Sequence, residues 1–125
     1  MTALATELAI NRDNTDKYIN IDPTEIILIP RREIWVAGSK RMADQTPRVP
    51  QTFKVNWQYS TGQVTVIDGT TFRFDYVIIG RYDAEVEIND HWSHLDQDFE
   101  VHYVFPSNGY EVRAGGNSYG SKPVV

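Results

Sequence analysis

Residues 71–92, TFRFDYVIIGRYDAEVEINDHW, change their hydrophobic pattern twice within one stretch. Phe72, Phe74 and Tyr76 alternate with Thr71, Arg73 and Asp75, the period of a strand with one wet face. At Val77, Ile78 and Ile79 the alternation gives way to a run apolar on both faces, so this strand is expected to end in the interior. Gly80 interrupts it. Asp83, Glu85 and Glu87 then alternate with Ala84, Val86 and Ile88, which predicts a second strand with carboxylates aligned on one side. Asn89 and Asp90 supply turn chemistry ahead of Trp92, a large apolar anchor. The other segments are expected to pack around this one.

Before it, residues 25–36 (EIILIPRREIWV) read as a strand pair or one long broken strand. Residues 26–29 are apolar on both faces, and Pro30, unable to donate to a ladder, marks an edge or bulge before Arg31 and Arg32. Residues 37–51, AGSKRMADQTPRVPQ, read as a long irregular loop, a feature uncommon in small domains unless it is functional. Phe53, Val55, Trp57 and Tyr59 alternate with Lys54, Asn56 and Gln58, and Ser60-Thr61-Gly62 makes a turn. Val64 and Val66 continue in a short strand, and Asp68-Gly69 signals a hairpin.

After Trp92, residues 95–98 make a polar turn. Phe99, Val101, Tyr103 and Phe105 are expected to face inward, residues 106–109 (PSNG) close another hairpin, and Tyr110, Val112 and Ala114 return. Six or seven short strands without a convincing helix predict an all-β fold. For so short a chain a small antiparallel β-barrel manages exposed edges better than an open sheet, with a sandwich as the alternative. The barrel is placed over residues 23–115. An extended N-terminal arm covers 1–22, because Leu4, Leu8 and Ala9 support no more than one helical turn before a polar run. Residues 116–125, rich in glycine and serine, form a flexible C-terminal tail.

Composition narrows the class without changing that outline. At 125 residues the chain makes one domain, and 3 Trp, 7 Tyr and 5 Phe give it large side chains to bury. With no cysteine it uses neither disulfides nor thiolate ligands. No apolar run approaches the roughly 20 residues that span a bilayer, and the N-terminus lacks the basic start and apolar core of a signal peptide. These features predict a soluble protein made in a cytoplasm, without a membrane partner.

The net charge of −5 is unevenly spread. Residues 23–62 set Glu25, Glu33 and Asp44 against Arg31, Arg32, Lys40, Arg41, Arg48 and Lys54, while the segments on either side are acidic. A basic middle between acidic ends is consistent with complementary contacts between copies, and equally with a solvated surface. Arg31, Arg32, Asp83, Glu85 and Glu87 are the candidate inter-subunit or partner contacts.

Reactive chemistry finds little support. His91, His94, Asp96 and Asp98 (DHWSHLDQD) offer a histidine pair beside carboxylates, a weak metal motif that solvated turn residues explain better. The Asp83, Glu85, Glu87 row lacks a nucleophile or a calcium-loop spacing. There is no nucleophile elbow and no phosphate-cradling glycine loop. No catalytic residue, metal ligand or cofactor is assigned. A barrel with exposed aromatics can bind single strands by stacking, but that class carries a basic groove and this chain has a pI near 5.1.

Four blocks in order, TEIILIPR (24–31), PRVPQTFKV (47–55), FDYVIIGRYDAEVEINDHW (74–92) and FEVHYVFPSNGYEVRA (99–114), give the chain a likeness that no single block carries. Over about residues 24–114 it resembles the head-to-tail connector proteins of long-tailed actinobacteriophages, in particular the head-closure or stopper group. Asn89, where glycine is commoner, and a longer turn at 93–98 depart from that pattern. The resemblance implies a non-enzymatic virion protein of the neck, assembled in the host bacterial cytoplasm into a ring, expected to be a hexamer. The portal and adaptor would lie above it, the tail terminator and tail tube below, and packaged double-stranded DNA within. Another neck component, either tail terminator or adaptor, is the nearest alternative. Single-stranded nucleic-acid binding and a metal-dependent hydrolase using His91 and His94 stand further off. Within the ring the 37–51 loop, with Lys40, Arg41 and Arg48, is the candidate channel-facing or DNA-facing segment. Its net +2 would give six copies about +12 in one belt, enough to hold a DNA end in a salt-sensitive way, while the acidic row of Asp83, Glu85 and Glu87 is equally open as the bore lining along which DNA would slide.

Overall fold

A computed structural model describes residues 3–58 and 65–118. The turn expected at 60–62, together with Tyr59, Val64 and residues 119–125, lies outside them. The expected arm is a helix, α1 (Ala3–Ile21), of 19 residues. Leu8, Arg12, Thr15 and Ile19 make its inward stripe, at helical spacing, but two of the four are polar. That is why hydrophobic periodicity misses it. Arg12 lays its guanidinium 3.8 Å over the Tyr82 ring and donates from Nε to the Gly109 carbonyl at 3.0 Å. The Thr15 hydroxyl donates back to the Asn11 carbonyl at 3.0 Å. Asp16 meets Arg81 at 3.1 Å, and Pro23 ends the helix.

Among the described residues ten strands succeed the helix. They are β1 (Pro23–Ile26), β2 (Arg31–Val36), β3 (Ser39–Asp44), β4 (Gln51–Trp57), β5 (Thr65–Ile67), β6 (Thr70–Phe72), β7 (Tyr76–Arg81), β8 (His91–His94), β9 (Gln97–Val104) and β10 (Glu111–Ser118). Six form one antiparallel sheet in the order β1-β4-β7-β10-β9-β8. Ile29 and His91 exchange backbone hydrogen bonds of 2.9 and 3.0 Å, bringing the chain just beyond β1 against β8. The sheet thus curls into a small, nearly closed barrel, as the short alternating segments predict. The Asp68-Gly69 hairpin joins β5 to β6, both residues at positive φ.

Inside sit Trp92, Tyr76, Phe53, Phe99, Leu28, Ile78 and Val101, all fully buried. Trp92 donates from its indole nitrogen to the Tyr76 hydroxyl at 3.1 Å, and the two rings meet edge-on at 5.1 Å. Burial pushes the Tyr76 phenol well above its ordinary value, although the bond from Trp92 works against the shift. A raised folded value means Tyr76 contributes full stability below about pH 10, its unfolded value, and progressively less above it. The urea midpoint is therefore expected to fall as pH rises from about 10 towards 12, and Tyr76→Phe to flatten that fall.

Three further sequence expectations are corrected. Residues 37–51 are not one irregular loop: Ala37 and Gly38, at φ 50° and 83°, form a tight hairpin turn, and β3 occupies residues 39–44 directly after it. Alanine at a positive φ is not a turn signal, so the hairpin is hidden in the sequence. Residues 83–88 are not a strand, since β7 ends at Arg81. The Glu85 backbone is instead satisfied by the Gln51 side chain, which donates to its carbonyl at 3.0 Å and accepts from its amide at 2.7 Å. The tail does not begin at 116, because β10 runs to Ser118 with Gly116 and Asn117 buried.

Candidate functional site

The strand pairing from residue 23 to residue 57 traces one long hairpin. Its near part, β1 with β4, belongs to the barrel: Pro23 faces Lys54 and Ile26 faces Gln51. Its far part, β2 with β3, pairs Arg31 with Asp44 and Val36 with Ser39 and belongs to a separate two-stranded sheet. Between them Leu28 accepts from the Arg48 amide and Pro30 accepts from the Gln45 amide, each at 2.8 Å. Pro30, lacking a donor, falls at the junction where a ladder bond can be spared. Six residue pairs span about 20 Å, so a ribbon of that length stands off the barrel.

Little of the ribbon is covered. Trp35 is 69% exposed, and Val36 and Met42 are exposed with it. Alternation sorts the ribbon into two faces. Glu33, Trp35, Lys40 and Met42 share one, on which the Lys40 ammonium lies 5.4 Å from the Trp35 ring centre and 3.8 Å from Glu33. Arg32, Ile34, Val36 and Arg41 share the other.

The foot of the ribbon is clamped ionically. Asp90, 1% exposed, receives Arg48 Nε at 3.0 Å on Oδ2 and the Glu87 amide, also at 3.0 Å, on the same oxygen. The Arg48 side chain is 13% exposed and reaches Glu87 at 3.4 Å and Glu85 at 3.6 Å as well. Burial alone would pull its guanidinium down. The bond and charge of Asp90, with those of Glu87, outweigh that and hold it above the ordinary arginine value. Arg32 adds a 3.2 Å contact to Glu87. On the opposite side Asp44 meets Arg31 at 3.2 Å and His91 at 3.0 Å.

The predicted site residues therefore divide. Arg48, expected to face the channel, is spent on contacts within the chain, whereas Lys40 and Arg41 stay on the exposed ribbon. Arg32, Glu85 and Glu87, expected at a partner, join the same internal network. Arg31 is turned to Asp44. Asp83 remains exposed, with no ion pair among the described residues. Sequence reasoning missed Asp90, the hub of the clamp, because a turn signal explained it fully. Trp35, an aromatic close to a hidden turn, was also missed.

The histidine motif is not assembled as a metal site. His91 and His94 are three apart on a strand, where residues at odd spacing point to opposite faces. His91 turns to Asp44, while His94 stacks on Trp57 at 5.8 Å. Among the described residues no group of three or more metal-ligating side chains converges, and no helix is long and apolar enough to cross a membrane. No family model matches the chain, and the comparison with curated proteins gives no match either.

Proposed function

We propose that this protein is a structural ring subunit of a phage neck, a head-to-tail stopper that closes the DNA channel after packaging and offers a surface to the tail. It works by symmetry and shape, without a reaction of its own. The observation that carries this reading is the ribbon of residues 31–44: an arm fixed at its foot by buried charges, with a bare tryptophan near its tip. A monomer gains nothing from holding such an arm rigidly in solvent, but a ring gives every copy a neighbour to receive it. The resemblance over residues 24–114 supplies the setting.

The electrostatic role of this segment is smaller than its composition implied. With Arg48 paired to Asp90 and Arg31 to Asp44, the outer part of the ribbon keeps Lys40 and Arg41 against Glu33. A bore lined by it would be weakly basic, holding DNA without fixing it, and its retention would be sensitive to salt.

Locating the protein in particles tests the proposal. Labelled chain is expected as a ring in the neck on electron micrographs. Particles made without it should fill with DNA, then lose it, and carry no tails. If it is absent from finished particles, or if particles lacking it retain DNA and join tails normally, the proposal fails.

A further inference from the structure

A groove near the foot of the ribbon offers apolar space and carboxylates to a segment like the ribbon's tip. Val49, Pro50, Gln51 and Thr52, facing Arg81 and residues 83–85, line this open groove of about 340 Å³. Its lining is partly apolar, with Val49 76% exposed and Ala84 half-buried, and it carries Asp83 and Glu85 beside Arg81, which is itself paired with Asp16. An indole fits such a space. On one face the ribbon presents Trp35 and Met42, apolar and uncovered, beside the cation of Lys40.

The two cannot meet within one chain. The groove lies at the foot of the strand that returns from the ribbon, and a paired ribbon of about 20 Å cannot bend back onto its own foot. It can reach another molecule.

We propose that the Trp35, Lys40 and Met42 face of the ribbon docks in the groove of a second copy of this chain, Trp35 filling it and Lys40 meeting Asp83. The tip of one molecule and the foot of the next are different surfaces, so the contact is head-to-tail and propagates around a closed ring. Asp83 is the natural receiver because it has no ion pair among the described residues, and Lys40 is free to move because its approach to Glu33 is long and exposed. Arg41, on the opposite face, stays turned away from the neighbour and is the cation the ribbon keeps for DNA once Lys40 is engaged. This contact rests on the proposed ring and specifies its interface.

Self-association of the full chain, followed by light scattering over a range of concentrations, tests it. Trp35→Ala, Lys40→Glu and Asp83→Lys are each expected to weaken association about tenfold or more. Combining Lys40→Glu with Asp83→Lys in one chain should bring it back to within about threefold of the parent, and Arg41→Asp should leave it unchanged. Because the chain has no cysteine, Met42→Cys mixed with Val49→Cys gives a second readout, a mixed disulfide dimer under mild oxidation. If micrographs still show rings but neither the charge swap nor the disulfide succeeds, this interface is wrong and the ring stands. If the parent chain assembles neither in solution nor in particles, the ring reading itself falls, and the interface with it. If Trp35→Ala loses oligonucleotide binding while association is intact, the face belongs to nucleic acid and the docking is overturned.

Discussion

Gly116→Ala is expected to destabilise the barrel by about 3 kcal/mol or more, enough to leave a domain of this size largely unfolded. A β-carbon at this position would collide with the Glu100 carbonyl oxygen and with the hydroxyl of Tyr76. The first is backbone inside the β9–β10 ladder and the second is held by the Trp92 indole, so neither can retreat without breaking a hydrogen bond in the core. The pairing register shifts between Gly115 and Gly116, which marks a bulge where β10 bends over the Phe74 and Tyr76 rings. Urea denaturation followed by tryptophan fluorescence measures the loss. Gly38→Ala is the comparison: nothing lies within 4 Å of its added carbon, and only the positive φ at the ribbon turn is strained. Its cost should stay near 1 kcal/mol and be confined to the ribbon. Equal effects at the two positions would show that Gly116 is not a packing requirement.

Glycine at 115 and 116 also explains one limit of the sequence. Two glycines beside Asn117 and Ser118 look like the start of a mobile tail, because composition cannot distinguish a residue chosen for freedom from one chosen for absence of bulk. The aromatic rings that require the space come from residues 74 and 76, some 40 positions earlier. Where the determining contact was local, the pattern was legible. Alternation in residues 52–57 and 99–105 placed Phe53, Val55, Phe99 and Val101 in the core, and Asp68-Gly69 gave its hairpin. Where the contact was distant, it was not. Arg12 is half-buried against Tyr82 and the Gly109 carbonyl, so a helix whose inward stripe is half polar read as an arm. The acids at 83, 85 and 87 do face outward in alternation, but their segment takes its hydrogen bonds from Gln51 and Asp90 instead of a neighbouring strand.

Asp90 depends on distant contacts in the same way, and its replacement by alanine is expected to cost about 3–5 kcal/mol. Three groups lose a bond to Asp90 together: Arg48 Nε, the second arm of that guanidinium at 3.5 Å, and the Glu87 amide. Arg48 would keep Glu85 and Glu87, both more exposed and more distant, so part of its charge stays compensated and the lower end of the range is the better expectation. Asp90→Asn separates charge from hydrogen bonding. Its carbonyl can still accept from Glu87 or Arg48 but not offset the cation, so an intermediate loss is expected. Replacing both partners, Asp90→Leu with Arg48→Met, removes the buried charges together and should restore most of the stability lost by either single change. It should not restore the ribbon. Arg48 ties the returning limb of the hairpin to the 85–90 segment, and without it the foot is held by Asp44 with Arg31 and His91 and by the exposed Arg32–Glu87 pair on the outgoing limb. The double variant should therefore fold with a near-parental urea midpoint, yet show faster amide exchange through β2 and β3 and weaker assembly. Stability restored together with full ribbon protection would mean that the clamp serves the barrel alone. Stability restored without it would mean that the buried charges are kept to aim the arm.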